Sequence, residues 1–268
     1  MLRTGLYLMH DRQGQKWNRD EIILALDLYF RIPFSKINQN NKDIIALANL
    51  IGRSAGSVGL KLANLASLDP ELKERNIGGM QNASKLDAII FKEFYDSWDE
   101  LSFESQKIRS QYTNQPIDLL LPDTDIVLLP PGIDKERETK IRIGQDFFRK
   151  AVVSSYESQC CITGINEPQL LIASHIKPWA ASDEQKERTN PRNGLCLNAL
   201  HDRAFDKGLL TITKDYRILL SNKIAQSKMD ESTKLWLLSY NHKSIILPSR
   251  FLPSKEFIEY HNDMVFQR

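Results

Sequence analysis

Cysteine is scarce in this chain: three among 268 residues, two of them adjacent at Cys160 and Cys161. That number and spacing exclude a disulfide framework and a four-thiolate zinc site, and predict reduced, buried thiols in a cytoplasmic protein. An excess of charge of either sign is also missing, since 36 Lys and Arg against 34 Asp and Glu leave a formal +2. Bulk charge therefore neither requires nor excludes a nucleic-acid partner, which needs only a local basic surface. No apolar run approaches membrane-spanning length. The short apolar stretch from Leu6 to Met9 precedes Arg12, Lys16 and Arg19, the reverse of a signal-peptide layout, so an intracellular protein away from membranes is expected. Internal repeats and low-complexity tracts are absent, and the length suits two ordinary domains.

What is present divides in two. From Trp17 to about Leu101 apolar residues recur at helical spacing, first in Glu21 to Phe30 and again in Asn41 to Ile51. Gly52-Arg53-Ser54 then closes one helix and offers a serine cap to the next, expected from Ala55 to Ser67 and stopped by Asp69-Pro70. Two helices joined by a tight glycine turn form a helix-turn-helix candidate. Its second helix would present Ser54, Ala55, Ser57 and Val58 to base edges, with Arg53 and Lys61 reaching phosphates. Plain helical domains contain the same arrangement, and Trp17, Leu26, Tyr29, Phe30 and Trp98 read as core. After Gly78-Gly79, Asn82 to Phe94 reads as a further amphipathic helix. Residues 1–110 form the expected helical domain, and the proline-containing stretch 111–140, with Pro116, Pro122 and Pro130-Pro131, the expected linker.

The second expected domain, 141–268, opens on a helix in which Phe148, Val152 and Tyr156 share a face. Leu170 to Ile176 reads as a strand, Gly194 to Leu197 as a second, Ala199 to Asp206 as a helix ended at Lys207-Gly208. Leu209–Thr213 and Arg217–Leu220 read as a hairpin turning at Lys214 to Tyr216. Within this frame stand Ser174-His175-Ile176-Lys177-Pro178-Trp179, then Asn193-Gly194-Leu195, then His201-Asp202-Arg203-Ala204-Phe205-Asp206-Lys207-Gly208.

Strand, loop, strand and helix carrying His, Asn and His in that order resemble the HNH nucleases of the ββα-metal group, in particular their restriction-type branch. The likeness is strongest from Arg142 to Leu220 and continues more weakly through Tyr260-His261. It implies an α+β protein: a helical, helix-turn-helix-like N-terminal domain followed by an HNH nuclease domain with flanking helices and a hairpin. It further implies a metal-dependent endonuclease acting on double-stranded DNA, in restriction or phage defence. By the same resemblance His175 maps onto the general base, Asn193 onto the residue that holds the loop behind it, and His201 onto a metal ligand or electrostatic partner. Each residue alone has a structural explanation; their order in this setting favours the functional one. His10, His242 and His261 lack such a setting and read as structural, and Phe205 and Trp179 as core.

The chemistry needs a base to take a proton from water and a cation to offset charge on the phosphorane-like transition state. Many members place Asp or His just before the base, where this chain has Ser174, a poor ligand. Either the cation is held from the helix side or Ser174 reaches it through water; the helix-side candidates are His201, Asp202 and Asp206, of which Asp202 and Asp206, four apart, share a face. So few ligands suit a Mg²⁺ that keeps several waters, with Mn²⁺ or Ni²⁺ able to substitute, better than a closed Zn²⁺ site. Lys177 and Arg203 flank the motif as phosphate-clamp candidates. Two alternatives stay open: a DNA-binding or regulatory protein with an inactive HNH fold, motivated by Ser174, and a nuclease switched by assembly through its N-terminal domain. A homodimer is expected if both strands are cut.

Overall fold

The computed structural model describes residues 12–75, 82–121 and 132–268. His10, the Gly78-Gly79 pair and the middle of the expected linker lie outside them. Among the described residues seven α-helices come first: α1 (Arg19–Arg31), α2 (Lys42–Ile51), α3 (Ala55–Ala66), α4 (Pro70–Glu74), α5 (Lys85–Phe94), α6 (Trp98–Thr113) and α7 (Ile117–Leu120). The long α8 (Lys135–Ser155) leads into a hairpin of β1 (Leu171–His175) and β2 (Gly194–Asn198), crossed by α9 (Ala199–Asp206). A second hairpin, β3 (Leu210–Ile212) with β4 (Ile218–Leu220), precedes α10 (Asn222–Ala225), α11 (Glu231–Leu238) and α12 (Lys255–Met264). The chain is thus an α+β protein, helical first and then built around two small antiparallel sheets.

Every residue of α1 from Glu21 to Phe30 is buried, so this helix forms the centre of the N-terminal half. Its two buried carboxylates are paired rather than removed. Glu21 binds Arg53 at 2.8 Å and Arg12 at 3.0 Å, while Asp27 binds Arg31 at 2.8 Å. Asn18 and Glu21 close a capping box at its start. Around it Tyr29, Phe30, Phe91, Trp98, Phe147 and Phe251 form an aromatic cluster, with Phe30 edge-on to Trp98 at 4.9 Å between ring centres.

The expected helix pair is present as α2 and α3. Gly52 at φ 69° caps α2 in the left-handed region, where a side chain would be strained, and the Ser54 hydroxyl accepts from Ser57 N to start α3. The basic residues meant to face DNA do not. Arg53 is buried against Glu21 and stacked 4.4 Å over Trp17; Lys61 is buried against Asp87 at 2.8 Å; Val58 is in the core. The cause is the pair of acids supplied by α1 and α5, which cannot stay buried without a cation.

α8 starts at Lys135, capped by Asp134, seven residues before the expected helix, so the flank of the expected linker is helical. It serves both halves of the molecule. Phe147 and Ala151 pack into the N-terminal core, and Phe148, Val152 and Tyr156 into the C-terminal one with Cys160, Cys161 and Cys196. The Arg31 guanidinium meets Asp146 at 2.5 Å, and Arg250, buried, donates to the carbonyls of Tyr29 and Ile32 at 2.6 and 2.7 Å. No described helix is long and apolar enough to cross a membrane.

Candidate active site

β1 and β2 pair antiparallel with Ser174 opposite Leu195 and His175 opposite Gly194. A Cβ at Gly194 would stand 2.3 Å from Val152 Cγ2 and 3.0 Å from Phe148 Cζ. The Asn-Gly-Leu glycine therefore lets α8 press directly under the hairpin. That approach places Phe148 flat against the His175 imidazole, with ring centres 3.8 Å apart and planes 9° from parallel. Trp179 closes a second side edge-on at 5.6 Å, so it is a wall of the site rather than core. Burial between these rings pushes the His175 pKa down to about 4, which keeps the imidazole neutral at pH 7.

His175 Nε2 lies 2.9 Å from the Arg188 carbonyl. A carbonyl only accepts, so Nε2 carries the proton and Nδ1 keeps the lone pair. Arg188 sits at the end of the loop joining the two strands, and Asn193 ties that loop shut. Its Oδ1 accepts from Lys177 N at 2.8 Å, and its Nδ2 donates to Lys177 O, Ser182 Oγ and Glu187 O at 3.2, 3.2 and 3.3 Å. Wholly buried, Asn193 sets the carbonyl next to Glu187 that in turn sets the base. The Arg188 side chain stacks over Trp179 at 4.8 Å, fixing the same loop from outside.

A cavity of about 400 Å³ opens beside this imidazole, lined by Ser174, His175, Trp179, Asp202, Asp206 and His261 among others. Asp202 and Asp206 stand one turn apart on α9. Burial raises the Asp202 pKa, with the Asp206 carboxylate adding to the rise and Ser174 and Arg203 opposing it. Asp206 is raised mainly by burial, against Arg203 and Lys207. The buried Ser174 hydroxyl lies near enough to Asp202 to favour its charged form, yet makes no well-formed hydrogen bond. Arg203 is exposed between the two acids.

His201 does not line this cavity. It lies wholly buried, with Nδ1 accepting from Asn198 Nδ2 at 2.8 Å and its ring stacked on Trp236 at 5.2 Å. The physical reason is helical phase: neighbouring residues point about 100° apart, and His201 shares its stripe with core Phe205 while Asp202 shares one with Asp206. His261 lines the cavity and is buried. Its ring lies 3.8 Å from that of Phe205, its Nε2 donates to Phe205 O at 3.2 Å, and its Nδ1 meets Thr211 Oγ1 at 2.8 Å. Lys177 is spent within the loop on Glu187 at 2.6 Å and over Tyr260. Of the four basic residues expected to meet DNA, only Arg203 is exposed without an ion pair; Arg53, Lys61 and Lys177 are held internally.

Sequence reasoning missed Phe148 and Trp179 as contacts of the base and the Arg188 carbonyl as its orienter. A backbone carbonyl leaves no mark in residue identity. Phe148 was legible only as a helix-face apolar residue.

A histidine ends the first strand of the hairpin, an asparagine heads its second, and a helix brings two acids across them, a ββα arrangement. Residues 160–213 match the family model described as HNH endonuclease. No curated protein sequence matches the chain. Among solved structures it is similar to a modification-dependent TagI restriction endonuclease, at 21% identity over 44% of this chain and 37% of that one, with a TM-score of 0.28. The chain thus matches 37% of that neighbour's length.

The oxygen donors at the cavity suit a hard divalent cation. Asp202, half-buried, and Asp206, exposed, supply carboxylates from one face of α9, and the imidazoles of His175 and His261 line the same cavity. Among the described residues no three His, Cys, Asp or Glu side chains converge on one point. A cation held here would keep several waters, which fits Mg²⁺ better than Zn²⁺.

Proposed function

We propose that this chain is a divalent-metal-dependent endonuclease that hydrolyses phosphodiester bonds of double-stranded DNA, with His175 as general base. The observation that carries the reading is the His175 imidazole: neutral, locked between Phe148 and Trp179, with Nε2–H on the Arg188 carbonyl and Nδ1 left to accept. A water at Nδ1 gives its proton to that nitrogen while its oxygen bonds to phosphorus. The P–O3′ bond breaks, leaving a 5′-phosphate, and the 3′ oxygen takes a proton from solvent. Asn193 is a positioning residue for the base through the loop. Asp202 and Asp206 would hold the cation, with Ser174 bordering it. That cation, when bound, offsets charge on the transition state and on the departing oxygen. His201 serves this reading as a support for α9 through Asn198, outside the reacting groups. Restriction or phage defence as the setting rests on the resemblance of the motif string to restriction-type members.

The test is plasmid cleavage by purified protein with and without Mg²⁺. His175→Ala should reduce the rate by at least 100-fold, general-base catalysis being worth roughly 10²–10⁴. Cleavage undiminished in His175→Ala, or unaffected by EDTA, would sink the proposal. Wild-type protein that binds but never cuts DNA under Mg²⁺, Mn²⁺ or Ni²⁺ would favour the inactive-fold alternative raised by Ser174.

A further inference from the structure

The exposed surface of α3 offers phosphates no charged side chain. Its outward residues are Gly56, Leu60 and neighbours without charge, because Arg53 and Lys61 are used internally. A basic surface does exist elsewhere. A groove of about 410 Å³ runs between the start of α2, the outer face of α8 and the start of β1, and its walls include Lys36, Lys42, Arg149 and Lys150. All four are exposed.

Their charges are only partly answered. Arg31, also at this groove, is matched by Asp27 and Asp146, and Lys150 shares Asp146 at 3.0 Å. That leaves Lys36, Lys42 and Arg149 against Asp43 alone among the lining residues. The groove is also rigid on both sides. Asn41 caps α2 beside Lys42 and donates to the Lys36 carbonyl at 3.1 Å, while Arg149 Nη2 donates to the Leu171 carbonyl at 3.1 Å.

The groove is in register with the catalytic cavity. Leu171 lines the groove, and the next four residues, Ile172 to His175, line the cavity. Along α8 the same handover occurs between adjacent residues: Phe148 touches the His175 ring and Arg149 enters the groove. Four steps of extended strand cover about 13 Å at roughly 3.3 Å each. A duplex rises about 3.4 Å per base pair, so 13 Å corresponds to about four base pairs.

From this geometry we infer that the groove is a docking track for the DNA backbone, in which Lys36, Lys42 and Arg149 hold phosphates about four base pairs from the one that is cut. The inference rests on the nuclease reading for its substrate, and it moves the DNA contact of the N-terminal half from α3 to the start of α2. Charge complementarity selects the partner: a polyanion of regular spacing rather than an apolar peptide.

The experiment measures binding of a labelled duplex of about 30 base pairs by the full-length chain in EDTA across a salt series, for wild type, Lys36→Ala/Lys42→Ala and the control Lys73→Ala/Lys92→Ala. The control lysines are exposed on α4 and α5 and make no ion pair among the described residues. Each phosphate contact contributes about 0.9 to the slope of log K against log salt, so the groove variant should be shallower by about two and bind roughly 30-fold more weakly at 0.15 M salt. The control should keep the wild-type slope, and all three proteins the same melting temperature.

A groove variant with wild-type slope and affinity overturns the track. Mg²⁺-dependent cleavage lost on His175→Ala would then leave the nuclease reading standing. Conversely, a shallower slope in a protein that cuts nothing supports the track and refutes the nuclease. Equal weakening by the control pair would show diffuse attraction and also overturn the track.

Discussion

Asn193→Ala isolates the link between the loop and the base. The substitution removes four hydrogen bonds from a residue with no solvent exposure, but they are not equal. The Lys177 N–H, 2.8 Å from Oδ1, loses its acceptor, and a buried unpaired donor costs about 1–3 kcal/mol. The three Nδ2 contacts at 3.2–3.3 Å are longer, and Lys177 O keeps a bond from Ser182 Oγ at 3.0 Å, so together they add about 1 kcal/mol. A total near 3 kcal/mol lowers the melting temperature by about 6–12 °C in a protein of this size. The catalytic effect is separate. With the loop loosened, the Arg188 carbonyl no longer fixes Nε2–H, and a misplacement of about 1 Å costs roughly 100-fold in rate. Plasmid nicking below the melting transition reads the rate, and a Mg²⁺ titration reads the metal. Half-saturation by Mg²⁺ should stay near wild type, since Asp202 and Asp206 stand on α9 and not on this loop. A variant that melts lower but nicks at the wild-type rate would refute the claim that the loop sets the imidazole.

Arg53→Ala should behave as a core mutation. It leaves Glu21 buried with Arg12 and the Asn18 N–H as its remaining partners, so a loss of about 3 kcal/mol in urea unfolding is expected, with the salt slope of DNA binding unchanged. A shallower salt slope would instead return Arg53 to the DNA surface. Acid should weaken the fold through three buried imidazoles, His175, His201 and His261, each pushed from 6.5 to about 4 by burial. Between those values the unfolded chain binds the extra protons, so stability falls as pH drops below about 6.5 and this loss ends near 4. It amounts to at most about 1.4 kcal/mol per pH unit for each ring. Asp202 and Asp206, whose pKa values are raised, act in the opposite sense at the acid end. Urea midpoints at pH 7.5, 6 and 5 measure this, and equal midpoints would contradict the burial of these rings.

The nuclease hairpin was legible because its determinants are local. His175, Asn193 and Gly194 lie within one hairpin, and each has a steric or hydrogen-bonding role that residue type alone suggests. The helix-turn-helix outline was legible for the same reason, through Gly52 and Ser54. Burial of its cations was not, because Glu21 and Asp87 stand 32 and 26 residues from Arg53 and Lys61. A helix-turn-helix looks alike in sequence whether its basic residues face solvent or an acid on another helix. The place of His201 was within reach. Its spacing of four from Phe205, a residue already read as core, set it on the buried stripe and left the next stripe to the two aspartates. What no pattern could supply was the Arg188 carbonyl, whose position depends on how a sixteen-residue gap between Lys177 and Asn193 is tied off.

α8 gives opposite flanks to two cores, and this bears on how the chain can be divided. A boundary placed at residue 141 would cut through this helix and strip Phe147 and Ala151 of the partners that hold it straight, while Arg250 would lose the backbone carbonyls it binds in α1 and at Ile32. The two halves should therefore melt in one transition rather than two. The C-terminal half is therefore not packed as a cassette independent of the N-terminal one. Any exchange of the N-terminal half would have to keep the surface of α1 and α6 that receives α8, so packing alone ties that half to the rest.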